Sequence, residues 1–141
     1  MGMPAGDRLG LDVKRAEQAL LAAKHAAVKP LTVPQYAALF ALSSTPGASS
    51  AALARACLVT PQAMTVVLRN LTELGYIERA PHPLHSHVLE THLTAAGKQA
   101  LATADAAAVA IERRIAAAFT AAERDTLREL LARFVAAIEQ T

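Results

Sequence analysis

The side chains best suited to metal or proton chemistry are four histidines in one predicted β-hairpin: His82, His85, His87 and His92. Imidazole binds zinc, copper and nickel, and it changes charge near pH 6.5. His85 and His87 would project from the same face of an extended segment. Because only Glu90 adds a carboxylate at ligand spacing, a metal site is the weaker hypothesis, and exposed polar residues are the simpler one.

A second polar group shares one face of the helix predicted before that hairpin. Thr60-Pro61 is typical of a helix start, with a hydroxyl cap followed by proline at the first helical position. Apolar residues then recur at helical spacing and should face a core: Met64, Val67, Leu68, Leu71 and Leu74. The opposite face carries Gln62, Thr65, Val66, Arg69 and Glu73. Gly75 tolerates the left-handed backbone that a helix C-cap requires.

The neighbouring segments predict a mainly α-helical fold with a small β-hairpin. A short helix from about Ser50 to Leu58 should come first, turning Leu53, Ala54 and Cys57 inward. Residues 76–79 and 88–93 predict two strands, with residues 81–87 as the tip between them. A helix-turn-helix followed by such a β-wing places one helix in the major groove of DNA. A purely structural helix pair and hairpin is the alternative.

Further helices flank this motif. The first is predicted at about 8–28, with a stripe of Leu9, Val13, Ala16, Leu20 and Ala27. Thr32 and Gln35 have the spacing of a capping box, and Thr94 should cap a long helix reaching about Ala118. A second capping box at Thr120 and Glu123 should open a last helix that buries Leu127, Leu130, Leu131, Phe134 and Ile138.

The long apolar stripes at both ends of the chain favour pairing of two subunits, although they could pack within one. We therefore expect a single domain over residues 1–141. In it, residues 8–28 and 94–140 form dimerisation helices, and residues 32–93 form a winged helix-turn-helix lobe.

Composition narrows the function classes. The chain has 141 residues, 53% hydrophobic and 4% aromatic, with a net charge of +2, and this charge permits nucleic-acid binding without requiring it. One cysteine excludes an intramolecular disulfide framework and suits a reducing cytoplasm. Prolines and Gly47 interrupt the longest uncharged stretch, so we expect no membrane span. The early charged residues also argue against a signal peptide. No nucleophile–base pair, phosphate-binding loop or metal-hydrolase motif indicates an enzyme.

The order of these elements resembles the MarR family of transcriptional regulators over nearly the whole chain. The residues that carry the resemblance are Leu53-Ala54, the run 60–65, Leu71, the run 75–79, Pro83, Leu93-Thr94 and Gly97. The resemblance implies an obligate homodimer that binds double-stranded DNA at a palindromic operator and usually represses. It also implies release by a small, often aromatic, effector in a cleft between the dimer helices and the winged lobe. No cofactor is implied.

The matching positions name the site residues. The major groove would be lined from Pro61 onward by Gln62, Ala63, Thr65, Val66 and Arg69. Gln62 suits adenine, Arg69 suits guanine or a phosphate, and the apolar groups suit a thymine methyl. Ser50 and Thr60 would donate to phosphates. By rough position, the effector cleft would take His25, Tyr36, Phe40 and Arg113, although each could equally be core or surface.

The chain also departs from the family pattern. The wing positions of an Asp-x-Arg element hold His85, Ser86 and His87, and Val66 stands where the reading helix often has arginine. Leu58 stands where the turn commonly has glycine. With Arg69 as the remaining cation on that face, DNA affinity should be low at neutral pH. Three alternatives stay open: a winged-helix interaction module with weak or lost DNA binding, a metal-responsive regulator, and a regulator whose DNA affinity rises when the wing histidines are protonated in acid.

Overall fold

The computed structural model of the chain describes residues 2–140. After a 3-10 turn at Ala5–Asp7, the chain forms four helices, a β-hairpin and two further helices. The third and fourth helices make up the helix-turn-helix. The bounds are α1 Leu9–Ala27, α2 Val33–Ser44, α3 Ser50–Ala56, α4 Pro61–Glu73, β1 Ile77–Pro81, β2 Leu89–Leu93, α5 Ala95–Ala117 and α6 Ala121–Glu139. The predicted fold class, mainly α with a small β-hairpin, is confirmed.

The helices α2 to α6 begin where a side-chain hydroxyl satisfies one of the first free amides. Thr32 and Gln35 form a complete capping box at the start of α2, and Thr120 and Glu123 form another before α6. Both were predicted. At α3 the cap is Ser49, whose Oγ accepts from the amide of Ala52. The sequence analysis missed it because two serines stand side by side.

The helices α3 and α4 end in the same hydrogen-bonded motif. At the end of α4, the amides of Gly75 and Tyr76 donate to the carbonyls of Thr72 and Leu71, and Gly75 has a φ of +76°. This is a Schellman cap with glycine in the left-handed position. At the end of α3 the same position is taken by Leu58, whose φ is +56°.

The hairpin is antiparallel and pairs Ile77 with Leu93 and Pro81 with Leu89. Its strands are shifted from the prediction, since β1 begins at Ile77 instead of Tyr76 and β2 begins at Leu89 instead of Val88. Thr91 is the one buried polar residue among those described, and its Oγ1 accepts from Arg79 Nε at 3.2 Å.

A single aliphatic cluster forms the core beneath the helix-turn-helix. Most of its fully buried members come from α2, α3 and α4 and include Leu39, Leu42, Leu53, Met64, Leu68 and Leu71. Leu74 is not among them. The prediction that Leu74 faces the core is wrong, because the helix ends at Glu73 and its C-cap residue is 52% exposed.

The chain divides after Ala108 into two compact units. The second holds the end of α5 and all of α6, and Arg124 Nη1 ties its turn by donating to the carbonyls of Ala116 and Phe119 at 2.8 and 3.0 Å. The apolar stripe of α6 is not buried as predicted. The exposed fractions of Leu127, Leu130, Leu131 and Ile138 are 38%, 46%, 46% and 67%, and Phe134 is half-buried. Two helices alone offer too little surface to cover it.

The apolar stripe of α1 is uncovered in the same way as that of α6. The helix α1 contains no buried residue, and Leu9 in its stripe is 69% exposed. Among residues 2–140 no single helix combines the length and apolar character needed to cross a membrane. Within these residues, the bent pair of α3 and α4 meets the length and composition criteria for a span only when the two helices are taken together.

Candidate nucleic-acid interface

The angle between α3 and α4 is set by a four-residue turn. The two helices bend by 110°, within the range typical of a helix-turn-helix. Leu58 turns the chain with its left-handed backbone, and the amide of Val59 donates to the carbonyl of Ala54 at 3.1 Å. Thr60 Oγ1 then accepts from the amide of Ala63 at 3.1 Å and begins α4. The glycine-like conformation therefore forms with leucine in place.

One face of α4 packs on the core and leaves the opposite face open. Met64, Leu68 and Leu71 are buried. All six residues predicted to line a major groove are exposed: Pro61, Gln62, Ala63, Thr65, Val66 and Arg69. The hydroxyl of Thr65 donates to the carbonyl of Pro61 at 2.9 Å. Because the hydroxyl hydrogen is used within the helix, Thr65 can offer a base its methyl group or the acceptor lone pairs of Oγ1.

Two cations stand on the helix pair. Arg69 is exposed on α4, and among the described residues it makes no ion pair with Glu73. Pairing with Glu73 was the structural alternative for this arginine. Arg55, exposed in the last turn of α3, is a second cation that the sequence analysis did not single out.

The predicted phosphate donors differ in access. Ser50 occupies the first position of α3 and is half-buried, whereas Thr60 is exposed at the start of α4. Thr60 Oγ1 serves as a cap acceptor, so its own hydroxyl hydrogen can still be donated.

The wing tip spans residues 82–88. The amide of His82 donates to the carbonyl of Val88 at 2.7 Å, and the amide of Val88 donates to the carbonyl of His85 at 2.8 Å. His85, Ser86 and His87 are all exposed. The ring centres of His85 and His87 lie 6.1 Å apart. In residues 2–140 no group of three or more histidine, cysteine or acidic side chains could hold a metal ion.

The four residues predicted for an effector cleft come from three helices, since His25 lies in α1, Tyr36 and Phe40 lie in α2 and Arg113 lies in α5. The rings of Tyr36 and Phe40 lie 6.1 Å apart on α2. Phe40 and His25 are exposed, and Tyr36 is half-buried. Arg113 is exposed and belongs to the second unit.

A cavity of about 490 Å³ lies next to Tyr36, within the first unit. Its lining combines apolar residues with a few polar ones, including Leu42, Ser43, His92, Lys98, Leu101 and Asp105. Asp105 Oδ1 accepts from the hydroxyl of Tyr36 at 2.7 Å. Sequence spacing could not relate His92 and Lys98 as cavity residues, because they lie on two separate elements, β2 and α5. A smaller cavity of about 320 Å³ lies between the α1–α2 turn and α5.

Cys57 lies at the C-cap of α3 and is half-buried against the core. Burial raises the pKa of its thiol. Since the thiolate is the reactive form, burial lowers the reactivity of this cysteine, which packs as a small apolar group.

Comparison with known proteins gives a consistent picture. The family model described as the MarR family matches residues 29–86. The HTH-type transcriptional repressor Rv2887 of Mycobacterium tuberculosis is 36% identical over 133 residues, which cover 93% of this chain and 96% of that repressor.

Two solved structures are similar over almost their whole length. A probable transcriptional regulator from Pseudomonas aeruginosa superposes with a TM-score of 0.83 at 30% identity, covering 93% of this chain and 99% of its own. The Mycobacterium tuberculosis MarR family protein Rv2887, in complex with salicylic acid, gives a TM-score of 0.69 at 36% identity, covering 90% of this chain and 96% of its own.

Proposed function

The chain belongs to the MarR family of transcriptional regulators, and on that premise we propose that it is a homodimeric repressor released from a palindromic DNA site by a small aromatic acid. The observation that carries the proposal is the open face of α4. Gln62, Thr65 and Arg69 stand exposed on a helix whose other face is fully committed to the core. Side chains of these types can contact base edges and phosphates in a major groove.

The dimer follows from apolar surface that the single chain leaves uncovered. In α6 Leu130, Leu131 and Val135 are each about half exposed, and Ile138 is 67% exposed. In α1 Leu9 is 69% exposed. A second copy of the chain would cover this surface, and each Å² of apolar surface removed from water stabilises the dimer by about 25 cal/mol. A two-fold dimer would then set its two α4 helices roughly 34 Å apart, as a palindromic site requires.

The effector would occupy the cavity of about 490 Å³. That volume suits a small ring, since ligand pockets span about 300–1,000 Å³. Lys98 and His92 can hold a carboxylate, whereas Leu42 and Leu101 can contact a ring. The similar protein Rv2887 has been solved in complex with salicylic acid, so salicylate is the first ligand to test.

Selection of fragments from random double-stranded DNA by the purified full chain tests the proposal directly. We expect a palindrome to be enriched and a dimer to sediment at the concentrations used. Sodium salicylate should then weaken the gel shift of the selected fragment. A monomer with no enriched sequence would contradict the DNA-binding part of the proposal, and an unchanged gel shift at saturating salicylate would contradict its effector.

One observation favours a second function, an interaction module with weak or lost DNA binding. From Pro81 to Leu89 the wing contains no lysine or arginine, and phosphate neutralisation supplies most non-specific DNA affinity. Failure to enrich any sequence by a chain that still dimerises would support this second function.

A further inference from the structure

We propose that three side chains in contact, His92, Glu90 and His82, link occupancy of the 490 Å³ cavity to the conformation of the wing tip. We call this series of contacts the relay. The inference rests on the proposed effector site and assigns to it a specific route of regulation. It gives a role to His82, which the proposed function does not use.

The cavity end of the relay is His92, which lines the cavity and also contacts a carboxylate. Its Nε2 lies 3.2 Å from Glu90 Oε2. The turn between α2 and α3 lies beside this pair, because a Cβ built at Gly47 would be at ordinary contact distance, 3.4 Å from His92 Cε1 and 3.7 Å from Glu90 Cδ. The amide of Gly47 also donates to the carbonyl of Thr91 at 3.0 Å. Backbone bonds therefore hold the strand that carries the pair against the turn between α2 and α3.

The wing end is His82. Glu90 Oε1 lies 3.5 Å from His82 Nε2, so one carboxylate bridges both imidazoles. His82 Nδ1 accepts from the amides of Leu84 and His85 at 3.0 and 3.2 Å. Since Nδ1 accepts two hydrogens, the ring hydrogen of His82 belongs on Nε2, facing Glu90. Glu90 thereby fixes the ring that orders the backbone of the tip.

An acid in the cavity would disturb this arrangement at His92. A carboxylate drawn to Lys98 offers the imidazole of His92 an acceptor that competes with Glu90. Once Glu90 loses His92, it is no longer held in position for His82, and the tip amides lose their fixed acceptor. The exposed residues His85, Ser86 and His87 would then no longer present one surface to DNA. Differential contacts in the two states are what a ligand needs to shift a conformational equilibrium.

Amide hydrogen exchange of the ligand-free protein tests the relay alone. Glu90→Gln keeps the shape of the side chain but cannot accept from both rings, because its amide group is itself a donor. We expect the amides of Leu84 and His85 to exchange about fivefold faster in this variant. Glu17→Gln is the matched control, since Glu17 is an exposed carboxylate in α1, away from the hairpin in the chain. Unchanged exchange in Glu90→Gln would overturn the relay and leave the effector proposal standing.

Titration with sodium salicylate then tests the coupling. In the unsubstituted chain the amide resonances of Ala102, in the cavity wall, and of Leu84 and His85 should move together. In Glu90→Gln only Ala102 should move. His82→Asn is the second variant, because asparagine can still accept from the tip amides but cannot reach Glu90. It should bind salicylate without releasing DNA.

The outcomes separate the two proposals. Movement of Leu84 and His85 in Glu90→Gln as large as in the unsubstituted chain would overturn the relay. Absence of any change at Ala102 would overturn salicylate as the effector, and the exchange rates would still decide whether the relay exists.

Discussion

The hydroxyl of Tyr36 donates a 2.7 Å hydrogen bond to Asp105 Oδ1 and so joins α2 to α5 across 69 residues of sequence. Both residues are half-buried. Asp105 also lines the 490 Å³ cavity, so the bond fixes one wall of the proposed effector site. The bond thereby links α2, which packs beneath α4, to α5.

Tyr36→Phe removes this bond and leaves the ring in place. Because the acceptor is a carboxylate at a half-buried site, we expect the free energy of unfolding to fall by about 1–2 kcal/mol. Urea titration followed by circular dichroism measures it. Asp105→Asn is the control, since its amide oxygen can still accept from the hydroxyl, and it should lose less than Tyr36→Phe. Equal stability of Tyr36→Phe and the unsubstituted chain would show that the bond contributes nothing in solution.

Leu58 stores backbone strain in the turn between α3 and α4. Its φ of +56° lies in the left-handed region, and its side chain is 93% exposed. Leu58→Gly removes about 1–2 kcal/mol of backbone strain from the folded state. Against this, the greater backbone freedom of glycine stabilises the unfolded chain by about 0.5–1 kcal/mol. We expect a net gain of about 0.5–1 kcal/mol in the free energy of unfolding.

Leu58→Val is the counterpart at the same position. The β-branched side chain fits the left-handed region less well than leucine. This variant should therefore be less stable than the unsubstituted chain in the same urea titration. A chain stabilised by valine and destabilised by glycine would contradict the turn geometry.

The sequence predicted most of the first unit because its signals are local. The Thr60 cap, proline at the next position and Gly75 at the far end define α4 without any tertiary information. The same holds for the two capping boxes. The error at Leu74 arose because apolar spacing continues for one residue after the helix has ended.

Tertiary features were beyond the reach of the sequence. The cavity brings together Ser43, His92 and Lys98 from three elements, and no spacing rule relates them. For the apolar stripe of α6, in which Leu131 is exposed, the sequence left two alternatives open, since such a stripe shows that a face needs a partner but not whether the partner is the same chain. The major-groove residues of α4 were correctly predicted to be exposed, and their contacts with DNA stay a prediction.

Gly97 is the glycine on which the entry into α5 depends. It is buried, and a Cβ at this position would overlap the carbonyl oxygen of Tyr76. That same carbonyl accepts from the amide of Thr94, so it cannot move away freely. Gly97→Ala should lower the free energy of unfolding by about 1–3 kcal/mol.

Gly10→Ala is the matched control for Gly97→Ala. Gly10 lies in α1 and a Cβ there would meet no atom within 4 Å. Alanine favours a helix over glycine by about 1 kcal/mol, so this variant should be slightly stabilised. If both alanine variants shifted the urea midpoint equally, the close approach at Tyr76 would not be the cause.

Arg69 gives the sharpest test of the reading helix. It is exposed on α4 and, within residues 2–140, free of an ion pair with Glu73. Arg69→Ala should weaken binding to the selected DNA fragment by at least about tenfold, a loss of about 1.4 kcal/mol. Gel-shift titration at several salt concentrations measures it.

If Arg69 contacts a phosphate, the slope of log K against log salt should shrink by about 1. If it contacts guanine, the slope should stay and discrimination at one base pair should be lost. Lys14→Ala, which removes an exposed cation from α1, should change neither quantity. An Arg69→Ala variant that binds as tightly as the unsubstituted chain would mean that this face of α4 does not read DNA.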